Sequence, residues 1–184
     1  MRIIAGSARG ARLGPVPPGV RPVSDRAREG LFSSLGDRVV DAEVLDLYAG
    51  TGALGIEALS RGAERATFVE SDRRAATAVR ANLASVRLEA RAAVRQQPVL
   101  SFLRAELRAP VGAMIAFLDP PYPTPVEEVE EALRALDQGW QGVGSWTVVL
   151  TRPSRNDRIV IPVNWQATRR LEYGDSLVIL YQEG

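Results

Sequence analysis

The chain contains no cysteine, no histidine and, among its 23 basic residues, no lysine. Without cysteine, disulfide frameworks, thiolate nucleophiles and thiolate metal sites are excluded. Without histidine, the commonest metal ligand and the usual general base at neutral pH are missing as well. Chemistry in this sequence therefore rests on carboxylates, backbone groups, aromatic rings and arginine, and no metal site is expected. No apolar run approaches the roughly 20 residues that span a bilayer. The opening Met1-Arg2-Ile3-Ile4-Ala5-Gly6 has no continuous apolar segment of the signal-peptide kind. A cytoplasmic location without membrane attachment is expected.

What is present suits one globular unit. At 184 residues the chain fills one domain and is too short for two full ones. Its 46% hydrophobic and 24% charged residues are the balance of a packed soluble domain, not of a disordered or fibrous chain. Monomer is the default expectation. The net charge of +1 conceals an uneven distribution. Arg2, Arg9, Arg12, Arg21, Arg26 and Arg28 crowd the first 30 residues against only Asp25 and Glu29. Residues 125–140 run the other way, with Glu127, Glu128, Glu130, Glu131 and Asp137 against Arg134. Codon bias explains a preference for arginine over lysine but not this clustering. The six arginines are expected to meet phosphates of an anionic partner.

Residues 1–22 differ in kind from the rest of the chain. Gly6, Gly10, Gly14 and Gly19 alternate with Pro15, Pro17, Pro18 and Pro22, a pattern of short strands and turns. Arg2–Ala5 and Ala11–Leu13 can pair as a small hairpin. The expected division is an N-terminal arm over 1–22 and a main domain over 23–184. Ser24 reads as the N-cap of a helix over Asp25–Leu35, with Asp25 and Glu29 favouring its dipole.

From residue 43 the rhythm is strand, turn, helix, repeated. Strands are expected at Val44–Tyr48, Ala66–Glu70, Ala90–Val94, Met114–Leu118 and Trp146–Leu150. Helices are expected from the glycine turn to about Arg61, and over Asp72–Val86, Val99–Leu107 and Pro125–Leu136. Thr168–Tyr173 and Ser176–Tyr181 flank Gly174-Asp175, a hairpin signal. This alternation predicts an α/β, Rossmann-like, doubly wound and mostly parallel sheet of about seven strands, with helices on both faces. The terminal hairpin adds antiparallel strands, and the first 22 residues a small β-hairpin extension.

Asp46-Leu47-Tyr48-Ala49-Gly50-Thr51-Gly52-Ala53-Leu54-Gly55 closes the first parallel strand and opens a helix. Gly50 and Gly52 permit a sharp turn and leave no Cβ between main chain and ligand. Glu70 ends the second strand, 20 residues after Gly50, where a carboxylate can accept both hydroxyl protons of an adenosine ribose. Its bland alternative is a helix cap, a role that Ser71 and Asp72 already fill. The Gly50-x-Gly52-x-x-Gly55 spacing alone also fits a nicotinamide dinucleotide. Asp46, however, ill suits a phosphate cradle and suits the cationic amino-acid end of S-adenosylmethionine. Tyr48 and Ser71, beside these residues, are assigned to the same cofactor site.

The apolar run Met114–Leu118 ends in Asp119-Pro120-Pro121-Tyr122, at the carboxyl end of a strand expected beside the first. An exocyclic amine on a ring is a poor nucleophile because its lone pair is delocalised. The Asp119 carboxylate and Pro120 carbonyl can hold its two N–H groups and aim the lone pair at a methyl donor. The two prolines fix the backbone beforehand. Tyr122 is placed to stack on a base that has left its own stack. The alternative is a proline-rich loop in which Asp119 caps Thr124.

Taken together, Arg2–Gly6, Arg21-Pro22-Val23-Ser24-Asp25-Arg26-Ala27-Arg28-Glu29, the Asp46–Gly55 turn, Phe68-Val69-Glu70-Ser71-Asp72, Ser101-Phe102-Leu103 and Asp119–Tyr122 resemble the RsmD-type bacterial methyltransferases. These modify N2 of a guanine in 16S ribosomal RNA, so the resemblance implies methyl transfer from S-adenosylmethionine, without a metal, to RNA of an assembling small ribosomal subunit. It implies that the arm helps to bind that subunit and that Asp25–Glu29 borders the cofactor site. Such proteins often carry a short polar residue before the third helix to meet the adenine; here Gln97 takes that place. A carboxylate is expected after the fifth strand, where this sequence has Leu150-Thr151-Arg152. The turn and tetrapeptide are shared with adenine-N6, cytosine-N4 and glutamine-N5 methyltransferases, so those amines stay open. A nicotinamide-dependent oxidoreductase leaves Asp119–Tyr122 without a role, and a non-catalytic RNA-binding module leaves the glycine turn without one.

Overall fold

The computed structural model describes residues 1–15, 23–107, 112–140, 144–154 and 159–184. Its strands are β1 (Glu43–Leu47), β2 (Arg65–Val69), β3 (Ala92–Arg95), β4 (Met114–Leu118), β5 (Trp146–Pro153), β6 (Trp165–Tyr173) and β7 (Ser176–Glu183). They form one sheet in the order β3-β2-β1-β4-β5-β7-β6. β1 to β5 pair in parallel, and β7 runs antiparallel to both β5 and β6. The helices are α1 (Asp25–Leu35), α2 (Ala53–Ser60), α3 (Arg73–Ser85), α4 (Val99–Ala105) and α5 (Val126–Trp140). The expected doubly wound class with its terminal hairpin is the fold observed.

Strand alternation sorts the core into two faces. Val44, Ile115, Phe117, Val149 and Val178 pack with Leu31, Ile56, Leu59 and Val79 from α1, α2 and α3. Leu45, Leu47, Ala116, Leu118 and Leu150 pack with Phe102, Val129, Leu133 and Trp140 from α4 and α5. Asp46 interrupts this apolar pattern on the α1–α3 side and is itself buried. Expected boundaries hold to within a few residues. β5 outruns Leu150 because β7 supplies partners as far as Pro153↔Ser176. α5 outruns Leu136 because Trp140 still finds the core, at 1% exposure.

The N-terminal segment forms its hairpin, with an antiparallel bridge between Arg2 and Arg12. Ile3 N–H donates to Ala11 O and Gly10 N–H to Ile3 O, both at 2.9 Å. Ile3 and Leu13 are buried in the α1–α3 core, so the hairpin is docked rather than free. Its anchor is the buried carboxylate of Glu57, which accepts from Ile4 N–H at 2.8 Å and Ala5 N–H at 3.0 Å. The same group accepts from Arg61 Nε at 2.8 Å and faces Arg28 Nη1 at 3.7 Å.

This placement corrects one sequence expectation. Arg28 is fully buried, donating to Asp25 and to the Arg2 carbonyl, and has no exposed surface to offer a phosphate. Helix periodicity explains it: residues 28, 31, 32 and 35 form the inward stripe of α1. Arg2, Arg9, Arg12 and Arg26 are exposed, Arg2 lying 3.6 Å from Asp25. Arg21 lies outside the described residues.

Removing Glu57 strips two backbone N–H groups of their acceptor and leaves Arg28 a buried cation facing one fewer acid. Glu57→Ala is expected to lower unfolding free energy by about 3–5 kcal/mol, the scale for breaking a buried ion pair. Urea denaturation measures it; a loss under about 1 kcal/mol would mean the hairpin is held by its apolar side chains alone.

Candidate functional site

At the carboxyl ends of the parallel strands lies a cleft of about 560 Å³, a volume suited to a nucleoside-sized ligand. β1 sits between β2 and β4, where strand order reverses, so the turns after these strands diverge and open a crevice. Asp46, Tyr48, Gly50, Glu70, Ser71, Asp119, Pro120 and Tyr122 all line it, as their sequence positions led us to expect. Val23, immediately before α1, also lines it, whereas Asp25–Glu29 are absent from its wall.

The glycine turn is held from beneath by side chains. Gly50 and Gly52 adopt φ of 58° and 77°, in the left-handed region open to glycine. Tyr48 takes φ 61°, an unusual value for a tyrosine, and its hydroxyl donates to Glu128 Oε1 of α5 at 3.0 Å. Gly55 N–H donates to Asp46 Oδ2 at 2.9 Å, and a Cβ at Gly55 would stand 2.4 Å from the Phe68 ring. That close approach lets α2 lie against β2. Gly52 is not in the cleft wall; it is the N-terminal flank of α2, packed near Val79.

Glu70 is bound through both oxygens. Oε2 accepts from Gly50 N–H at 2.9 Å and Oε1 from Asp72 N–H at 2.8 Å. Asp72, not Glu70, caps α3 by accepting from Ala75 N–H. Each Glu70 oxygen keeps a further lone pair for a hydroxyl donor. Asn82, buried on α3, donates to Thr51 O at 2.9 Å and accepts from Gly14 N–H at 2.7 Å. It thereby joins the glycine turn to the exit of the N-terminal hairpin.

Asp119 does not cap Thr124, whose N–H donates instead to Pro121 O at 2.9 Å. Tyr122 stands at the mouth, 47% exposed. Gln97 is a correction: it is absent from the cleft wall, and its amide donates to Glu106 Oε1 at 2.5 Å. Glu106 follows α4 and also takes Arg95 at 2.8 Å, which draws the Arg95–Pro98 segment toward that helix. Thr151, Ser176 and Thr51 also line the cleft and were not assigned from sequence. For Thr151 the signal was available, since residues just past a parallel strand face the crevice.

Four carboxylates, Asp46, Glu70, Asp72 and Asp119, line the cleft, and among the described residues no arginine does. The charge has consequences. Burial pushes the Asp46 carboxyl up to about 8, against the lowering effect of Gly55 N–H and with repulsion from Asp119 and Glu70 added. Burial likewise pushes Asp119 up to about 7, opposed by a hydrogen bond from Thr151. Burial raises the Tyr48 hydroxyl too, with Glu128 adding to it. A cation in this cleft would relieve the repulsion. A pyrophosphate would add to it.

Comparison with known proteins shows the family to which the chain belongs. The family model described as conserved hypothetical protein 95 matches residues 1–182. Ribosomal RNA small subunit methyltransferase D of Escherichia coli strain K12 is 40% identical over 185 aligned positions, covering 99% of this chain and 89% of that protein. The protein of the same name from Haemophilus influenzae is 35% identical, covering 99% and 93%. A solved Escherichia coli structure superposes with a TM-score of 0.84 at 36% identity, covering 100% of this chain and 97% of that one. In fold alone, the chain is similar to an RNA methyltransferase from Salinibacter ruber solved with S-adenosyl-L-homocysteine, at 17% identity, a TM-score of 0.63 and coverage of 89% and 94%.

The raised Asp46 value gives a sign for stability against pH. Between pH 4 and 8 the folded ligand-free protein keeps a proton that the unfolded chain has lost. Stability therefore falls as pH rises through that interval, by at most about 1.4 kcal/mol per unit from this group, and levels off above 8. Asp46→Asn keeps an acceptor for Gly55 N–H and removes the charge. Its urea midpoint at pH 8.5 is expected to exceed that of the parent, with a flatter pH profile. A parallel profile in the variant would show that Asp46 is ionised at no cost.

Proposed function

Because the chain belongs to the conserved hypothetical protein 95 family, the RsmD-type methyltransferases, we propose that it transfers a methyl group from S-adenosylmethionine to the N2 amine of a guanine in small-subunit ribosomal RNA. One observation carries the choice of cofactor: a deep cleft with four carboxylates and, among the described residues, no arginine. S-adenosylmethionine, when bound, supplies a methyl group on a cationic sulfonium, beside the ammonium of its zwitterionic amino-acid end. Carboxylates attract both charges. The dinucleotide alternative needs a pyrophosphate in the same space, which these carboxylates repel.

The residues divide the work. Glu70 accepts the ribose hydroxyls with the lone pairs left over from Gly50 and Asp72. Asp46 faces the ammonium of the amino-acid end, directly or through water. Val23 and Leu54 give the cleft apolar wall. Asp119 and the Pro120 carbonyl accept the two N–H groups of the guanine amine and direct its lone pair into the cleft. Tyr122, exposed at the mouth, stacks on the flipped base. Rate acceleration comes from orientation and exclusion of water, with no covalent enzyme intermediate. Once nitrogen is alkylated its proton becomes strongly acidic, and Asp119 or water takes it.

RNA binding is assigned to the N-terminal hairpin region through Arg2, Arg9, Arg12 and Arg26, with the 1–22 segment as the RNA-contacting part and 23–184 as the catalytic part. The protein acts as a cytoplasmic monomer on an assembling small subunit.

Mass-spectrometric mapping of ribosomal RNA from cells lacking the protein tests the substrate. One N2-methylguanine is expected to vanish from the small-subunit RNA; loss of a methylated adenine or cytosine instead would redirect the assignment. Asp119→Ala is expected to abolish transfer while calorimetric cofactor affinity stays within roughly tenfold, or about 1.4 kcal/mol. Glu70→Ala should weaken cofactor binding, and unchanged affinity would mean the ribose is held elsewhere. Replacing both Arg9 and Arg12 by alanine is expected to flatten the slope of log affinity against log salt by about 1–2. An unaltered slope would remove the hairpin from the RNA interface.

A further inference from the structure

We propose that Thr151 is a positioning residue for Asp119: its hydroxyl donates to the Asp119 carboxylate and holds it, charged and correctly turned, toward the amine to be methylated. The inference rests on the methyltransferase reading above, and it concerns the position where the family resemblance led us to expect a carboxylate.

Sheet geometry brings the two side chains together. β4 and β5 are parallel with Leu118 opposite Leu150, so the next pair in register is residue 119 opposite 151. Phe117 and Val149, two residues earlier on each strand, both face the α1–α3 side. By strand alternation Asp119 and Thr151 face that side too, as Asp46 does on β1. Both residues line the cleft from neighbouring strands, which puts the Thr151 hydroxyl within reach of the Asp119 carboxylate. Arg152, next along β5, is buried. By the same alternation it belongs to the α4–α5 side and lends the cleft no positive charge.

The electrostatic setting explains why a hydroxyl serves here. The titratable groups in the cleft wall are Asp46 and Tyr48 from β1 and its turn, Glu70 and Asp72 from the turn after β2, and Asp119 and Tyr122 from the turn after β4. β5 and β7 contribute Thr151 and Ser176, which do not titrate near neutrality. Burial drives Asp119 toward its protonated form, and the Thr151 hydroxyl opposes that shift. A protonated Asp119 would present one acceptor fewer to the amine. A threonine hydroxyl has a single proton to give; once it is given to Asp119, the carboxylate can use its other lone pairs for the amine.

Thr151→Val keeps the shape and β-branching of the side chain and deletes the donor; Thr151→Ser restores the donor without the methyl. In protein labelled with ¹³C at aspartate carboxyls, the Asp119 resonance is identified by its absence from Asp119→Asn. We expect the Thr151→Val variant to titrate at Asp119 about one pH unit higher than the parent, and Thr151→Ser to return to the parent midpoint. In methyl-transfer assays the valine variant is expected to lose roughly tenfold to a hundredfold in kcat, the scale of one hydrogen bond to a charged group. KM for S-adenosylmethionine should stay within about twofold, and the acid limb of the rate profile should move upward. The serine variant should recover most of the rate. An Asp119 midpoint unchanged in the valine variant, or a serine variant as slow as valine, overturns the proposal. A parent protein inactive on ribosomal RNA would overturn the substrate reading instead, while the titration would still judge the Thr151–Asp119 bond.

Discussion

The desolvation of carboxylates gathered at one edge of the sheet is the constraint around which this protein is arranged. Asp46, Glu70 and Asp119 sit at the ends of adjacent strands because the parallel sheet delivers consecutive strand ends to one edge. Burial makes the ionised forms of Asp46 and Asp119 costly, and at Asp46 the neighbouring Asp119 and Glu70 add to it. Such a site is preorganised for a cation and mismatched to an anion. The fold tolerates the cost by supplying donors: Gly55 N–H to Asp46, and Gly50 and Asp72 N–H to Glu70, with the Thr151 hydroxyl proposed to serve Asp119.

Those same bonds fix the glycine turn. Gly50 is tied to Glu70, Gly55 to Asp46, and the carbonyl of Thr51 to Asn82. Side chains from β1, the end of β2 and α3 thus hold two positions of the loop and the first turn of α2, and a loop so held loses little entropy when a ligand arrives. Asn82 also carries the hairpin, through Gly14, so the N-terminal hairpin and the glycine turn share one buried amide. Glu57 makes the second connection, from α2 to Ile4 and Ala5. The N-terminal hairpin is accordingly part of the domain's core structure rather than an appendage.

Much of this was legible in the sequence because it is written in local signals. The Ser24 cap fixed the start of α1, and Gly174-Asp175 fixed the last hairpin. The apolar run ending in Asp119 placed the proposed acceptor carboxylate at a strand end. What escaped depended on long-range packing. Arg28 reads as one more arginine in a basic segment until helix phase turns it inward onto Glu57, a partner 29 residues away. Gln97 occupies the expected place before α4 but is drawn toward Glu106, at the far end of the same helix. Thr151 was visible only as a missing carboxylate, because its value lies in a cross-strand neighbour. Register, not sequence, reveals that neighbour.

Charge is sorted in space as well as along the chain. Arg2, Arg9, Arg12 and Arg26 lie exposed on the hairpin and α1, while the described cleft wall carries acids and no arginine. A nucleic-acid strand approaching this surface is attracted through its phosphates to the outside and repelled by the interior. Among the parts of a polynucleotide the phosphates meet that repulsion, while a neutral base turned out of the stack does not. The same separation that draws a cationic methyl donor inward therefore keeps the backbone out. On the proposed function it favours a nucleotide turned away from its neighbours, with its amine toward Asp119 and its ring toward Tyr122. Placing a positive side chain in the wall would erase that distinction, inviting phosphate into the space the donor needs. In a chain with 23 arginines, a described cleft wall without one is the clearest mark of what the cleft is for.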